Sequence, residues 1–121
     1  MILHIVLYRP RPGLSEEAGR AFAEALVATR TSVPSVRQFW VGRQMAGSPA
    51  YRLAGSPDFP YAAVVVFDDR DGLLAYLEHR AHAALSELFN SSADAALICD
   101  FEVGDASDAV QILTKGTPWL A

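Results

Sequence analysis

The chain has a single cysteine, Cys99, among 121 residues. One thiol excludes a disulfide framework within the chain and suits a reducing compartment. Cys99 sits in the apolar run 95–99, where a lone cysteine reads as a small core residue and not as a nucleophile. Charge is also sparse: charged residues make up 20%, the net charge is −4, and the Lys and Arg residues are scattered. A nucleic-acid partner calls for a concentrated basic patch, so that class is set aside. No apolar run approaches the roughly 18 residues of a membrane span. The start, Met1-Ile2-Leu3-His4, lacks the leading positive region and small-residue cleavage site of a signal peptide. Internal repeats and low-complexity segments are missing as well. The expectation from these absences is one cytoplasmic domain with neither a membrane nor a nucleic acid as partner. Hydrophobic residues, at 51%, are enough for a substantial core.

Histidine is scarce too, with three in the chain, yet two of them fall in one stretch, Tyr76-Leu-Glu-His79-Arg-Ala-His82. On a helix, residues three or four apart share a face, so Tyr76, His79 and His82 step down one side. A phenol and two imidazoles supply proton donors and acceptors near neutral pH. They serve equally as the polar ends of a packed helix. No other segment concentrates titratable chemistry in this way.

The remaining pattern supplies the frame. Residues 2–8 are mostly apolar and end at Pro10 and Pro12, which predicts a strand with His4 on the face of Ile2, Val6 and Tyr8. Gly13 closes a turn, Ser15 caps a helix over about 16–30, and Glu16 and Glu17 complement its dipole. Residues 36–43 read as a second strand. Residues 45–60, rich in Gly, Pro and Ser, read as a long loop of the kind that forms lids or binding loops. The continuous apolar run 61–67 is the third strand. Asp68 to Gly72 starts the second helix, a plainer account of three acids than a cation site. A fourth strand is expected over 95–103 and a short extra one over 109–113.

The order is β-α-β-β-α-β, the split pattern of ferredoxin-like α+β folds with a four-stranded antiparallel sheet. Two helices cover one face of such a sheet. The first and third strands are apolar on both faces, so the other face calls for a partner, and a homodimer pairing through its sheets is the economical answer.

The residues His4-Ile-Val-Leu-Tyr8, Pro12-Gly13, Ser15-Glu16-Glu17, 36–43, Val64-Val-Val-Phe67-Asp68, Tyr76 to His82 and Asp100-Phe101 resemble the Dabb family of stress-responsive dimeric α/β-barrel proteins. The likeness covers about residues 2–102, within a domain drawn at 1–103. It leaves a tail, 104–121, read as either frayed or docked on the partner subunit. Family members commonly have proline where this chain has Arg80, a departure that implies a helix running through the motif without a break. The family's fold implies a dimeric α+β barrel. Its members resembling plant polyketide cyclases imply a cyclase or lyase that closes an aromatic ring by aldol condensation, with no metal and no organic cofactor. The resemblance then implies His82 and Tyr76 as the catalytic pair and His4 and Tyr61 as liners of the same cavity. It demotes His79, which stays a substrate-binding candidate but reads more readily as facing solvent or capping a break.

The pocket expected from the pattern lies between the sheet and the second helix, lined by Val64, Val66, Phe22 or Leu26, Leu77 and Leu85, and suits a small apolar or aromatic carbonyl compound. Metal binding by His4, His79 and His82 lacks a companion carboxylate or cysteine at a familiar spacing. The alternative is a non-catalytic, stress-responsive ligand-binding or structural dimer, in which Tyr76 is a core aromatic and the histidines are satisfied structural groups.

Overall fold

The first strand, β1, runs over Ile2–Pro10, two residues beyond the expected end. The extension is tolerated because these last residues pair only with the fourth strand, at a register irregularity between Arg9 and Pro10. The computed structural model describes residues 1–45 and 58–115, so the expected 45–60 loop falls almost wholly outside the described residues, as does the end of the tail. Gly13 turns the chain at φ +78°, a left-handed conformation that glycine adopts without the Cβ clash other residues meet. Helix α1 then spans Glu16–Ser32. Its Ser15 cap accepts a hydrogen bond from the Ala18 N–H at 3.0 Å, and Glu16 and Glu17 occupy the first turn. Strand β2 spans Gln38–Arg43 and β3 spans Tyr61–Phe67. Arg37 ties the start of β2 to the end of β3 through a 2.8 Å backbone bond to Val66 and a 2.7 Å bond from Nε to Asp68.

Asp69 caps α2, Arg70–Glu78, by accepting from the Gly72 N–H at 2.9 Å. Helix α3, Arg80–Ser92, follows at once, and β4, Ala93–Glu102, completes the sheet. The helix expected to run unbroken through Tyr76, His79 and His82 is therefore two helices. His79 makes the break, with extended backbone at φ −71° and ψ 141°. Its backbone N–H closes α2 on the Tyr76 carbonyl, and its Nδ1 accepts from the Ala81 N–H at 3.0 Å, capping α3. Arg80 is thus the first residue of α3, the position where proline's missing N–H would cost nothing. A second correction concerns the tail. Residues 109–113 are not a strand but lie in a short helix, α4, Ala109–Thr114, entered through a 3₁₀ turn at Ala106–Asp108 that Asp105 caps. The aspartates before Ala109 and the three-residue spacing of Val110 and Leu113 outweigh the β-branched composition.

The strands are antiparallel in the order β2-β3-β1-β4, the ferredoxin-like arrangement. The register sorts the side chains. His4 pairs with Val65 and Asp100, and Val65 pairs with Phe39, so these share the helix-covered face with Val6, Tyr8, Ala63 and Phe67. Val33 and Leu73, with Tyr76 beside them, pack on Val65 and Phe67 at one end of that face, and Phe67 is completely buried. The opposite face presents Leu3, Ile5, Leu7, Ala62, Val64, Trp40, Leu97, Cys99 and Phe101. Trp40, Leu97 and Phe101 on it are about half exposed, at 55%, 50% and 49%, so no part of the chain described covers them.

Candidate functional site

Between the helices and the sheet lies a cavity of about 260 Å³ whose wall includes His4, Tyr76 and His82. Tyr8, Ser86 and Asn90 are its other polar side chains, and ten apolar residues complete the wall, among them Val6, Phe22, Ala63, Val65, Leu77 and Leu85. The sheet therefore contributes Ala63 and Val65, not Val64 and Val66. With both faces of β3 apolar, only the pairing of Val65 with His4 fixes which parity faces inward.

The break at His79 places Tyr76 and His82 on different helices, and their rings meet edge-to-face with centroids 4.7 Å apart. Tyr76 also packs against His4, at 5.6 Å, and against Phe67, at 5.2 Å. Burial raises the Tyr76 phenol to about 12, so it keeps its proton across the physiological range. The His82 imidazole is pushed below its ordinary value, first by burial and then by the field of His4, against the pull of a hydrogen bond to the Leu77 carbonyl. It is therefore a neutral base at pH 7. His4, 6% exposed, has its Nδ1 2.6 Å from Oδ1 of Asp100 across the β1–β4 ladder. A carboxylate only accepts, so Nδ1 is the donor in this contact, and in the neutral ring Nε2 would be left as an acceptor. Sequence pattern gives Asp100 no special place. Its signals are a polar position in an alternating strand and a place in the family resemblance, and its partner depends on a register that sequence does not display.

Two expected site residues lie elsewhere. Tyr61 does not line this cavity. It stacks on Tyr8 at 5.6 Å and borders a neighbouring cavity of about 310 Å³. His79 is absent from both walls, because its Nδ1 is engaged in capping α3. Among the described residues, no group of three or more His, Cys, Asp or Glu is placed to hold a metal ion. Nor is any described helix long and apolar enough to cross a membrane.

A ferredoxin-like α+β fold with an apolar chamber under its helices defines the class of protein. Residues 2–103 match the Dabb family, the stress responsive A/B barrel domain, and the chain belongs to that family. No curated protein matches it. Among solved structures, it is similar to a dimeric ferredoxin-like protein of unknown function from Thermobifida fusca (22% identity, TM-score 0.68, covering 84% of this chain and 90% of that one). A dimeric ferredoxin-like protein from Jannaschia sp. CCS1 is similar at 25% identity and TM-score 0.66, covering 84% and 98%. The hydroxynitrile lyase of Passiflora edulis shares the fold at 14% identity and TM-score 0.74, covering 87% and 94%.

Proposed function

We propose that this protein is a homodimer, paired through the uncovered sheet face into an α+β barrel, that binds a small apolar or aromatic carbonyl compound and turns it over without a cofactor, as an aldol-type cyclase or lyase. The observation that carries the chemistry is the convergence of Tyr76, His82 and His4 on a largely apolar cavity. In ring closure, neutral His82 removes an α-proton next to one carbonyl. The resulting carbanion forms a carbon–carbon bond to a second carbonyl of the same molecule, and the Tyr76 hydroxyl stabilises and then protonates the alkoxide. The proton held by His82 returns to the tyrosinate, which restores both groups. Run backwards, the same pair cleaves the bond. A lyase name on a relative of the same fold is consistent with this but adds no residue assignment. Support for the dimer comes from the half-exposed Trp40, Leu97 and Phe101 and from relatives described as dimeric. The tail is read as docking on the partner, since Val110, Ile112 and Leu113 of α4 stand exposed on this chain.

His82→Ala tests the reading. Turnover of a panel of 1,3-dicarbonyl and aryl ketone compounds should fall at least about 100-fold, with the dimer and its Tm nearly intact. A second reading, ligand binding without turnover, draws on the packing of Tyr76 into the core beside Phe67. It prevails if native mass spectrometry finds the same ligand on both proteins and neither converts it. An equal loss of folding in His82→Ala makes the histidine structural and sinks the catalytic assignment.

A further inference from the structure

Three aromatic rings from three different elements meet inside the molecule. Tyr8 on β1 lies 5.6 Å from Phe22 on α1 and 5.7 Å from Phe89 on α3, and Phe22 lies 6.1 Å from Phe89, all between ring centroids. The three rings, contributed by the sheet and both long helices, bridge the layer between them, with Leu26 beside them on both cavity walls. All three rings border both cavities: the one of about 260 Å³ that holds His4, Tyr76 and His82, and the one of about 310 Å³ bounded by Pro10, Leu14, Val41 and Tyr61. The second cavity holds neither histidine nor Tyr76; its polar side chains are the hydroxyls of Tyr8, Tyr61 and Ser92, so the imidazoles lie on one side of the triangle.

We propose that Tyr8, with Phe22 and Phe89, is a septum that sets ligand length, confining the ligand to a compact, single-ring compound in the histidine chamber and barring an alkyl chain from the second one. The inference deepens the reading above, since it takes the histidine chamber as the ligand site. The physical basis is shape. At about 260 Å³ the chamber lies just below the roughly 300–1,000 Å³ of pockets that hold drug-sized ligands. A chain growing from a ring in that chamber toward Tyr8 meets the three mutually packed rings, and packed side chains resist added methylenes. Tyr8 is the member with most leverage. Its ring touches both partners and is itself backed by Tyr61, stacked at 5.6 Å on the side of the second cavity.

The probes are alkylbenzenes from toluene to hexylbenzene, titrated against the full chain and followed by NMR shift changes and calorimetry. They carry no carbonyl, so they read the septum independently of the proposed chemistry. In the wild type, affinity should stop rising after the first two or three carbons and then fall. In Tyr8→Leu, it should continue to rise by roughly fourfold per methylene, with shifts spreading to Leu14 and Val41. Tyr8→Phe keeps the ring and should keep the wild-type cutoff. Phe89→Leu opens the same wall from the helix side and should move the cutoff as Tyr8→Leu does, which keeps the test alive if one variant folds poorly. A cutoff unmoved in both leucine variants overturns the septum, as does failure of any alkylbenzene to bind. A ketone series that binds no more tightly than the matching hydrocarbons, with or without His82→Ala, weighs against the carbonyl reading alone and leaves the septum standing.

Discussion

At the scale of single residues, His4, Tyr76 and His82 each meet a partner or an environment in the chamber that acts on a proton. Asp100 is the outermost of these controls, its side chain 44% exposed while that of His4 is 7% exposed. Asp100→Ala should release the His4 tautomer. Nitrogen-15 NMR is expected to find Nδ1 protonated in the wild type and a mixture of tautomers in the variant. A single Nδ1–H tautomer in both would show that the carboxylate does not set it. Tyr76 and His82 give a pH signature of the opposite sign at each end. The Tyr76 pKa is raised from 10.0 to about 12 in the folded chain. Its contribution to stability is complete below pH 10 and is lost as pH climbs toward 12, roughly 2–3 kcal/mol for two units. The His82 pKa is lowered from 6.5. The unfolded chain then binds the proton more readily, so stability falls as pH drops below 6.5 and levels off once the folded chain is protonated too. Denaturant titrations across pH should give a plateau between these limits. Replacing Tyr76 by Phe should shrink the alkaline limb to what Tyr8 contributes, whose phenol is also raised by burial, while keeping the acid limb.

At the scale of elements, the junction between α2 and α3 decides whether Tyr76 and His82 meet. A straight helix would place them six residues apart along one cylinder, drifting around it. The bend at His79 brings the rings together instead. His79→Ala removes the side-chain cap and should cost about 1 kcal/mol, seen as a lower denaturation midpoint. Arg80→Pro fits the first position of α3 and should be neutral or slightly stabilising, by up to about 1 kcal/mol. A large destabilisation would mean that the Arg80 N–H has a partner that matters. The sequence made much of this architecture legible and left specific parts hidden. The run Tyr61–Phe67 matches its expected strand residue for residue, because a short apolar, β-branched run between a proline and an aspartate has few other uses. Ser15 and Asp69 act as the caps their positions suggest. Hidden were the features that depend on pairing across the fold. Val65 rather than Val64 faces the chamber, Asp100 finds His4, and Tyr61 sits beyond Tyr8. Each follows from register or packing between distant segments, and both faces of β3 look alike in sequence. The helix break was legible only as the capping alternative for His79, set against a helix running through the motif. Histidine is an unusual cap, and the proline that ordinarily marks that position is absent here.

At the scale of the whole molecule, the two faces of the sheet have divided tasks. The covered face carries the chamber, and the other is a continuous apolar surface in which Trp40, Leu97 and Phe101 remain about half exposed. Monomeric proteins rarely leave so broad an apolar patch in water. A stable pair needs only about 800 Å² from each partner, which a four-stranded face of this composition can supply. Pairing would also stiffen the floor of the chamber, because β1 and β3 supply His4, Ala63 and Val65 on one side and Ile5 and Val64 on the other. Leu97→Asp with Phe101→Asp places two charges where the partner's apolar side chains would lie, and burying an unpaired charge costs far more than giving up the packing of a leucine or a phenylalanine. Sedimentation equilibrium should find the wild type dimeric and the double variant monomeric. The monomer should also melt at a lower temperature, independent of protein concentration, whereas the wild-type Tm should rise with concentration, as it does when folding and association are linked. A wild-type chain that sediments as a monomer with a concentration-independent Tm would remove the dimer, and with it the expectation that the chamber's floor depends on a second copy.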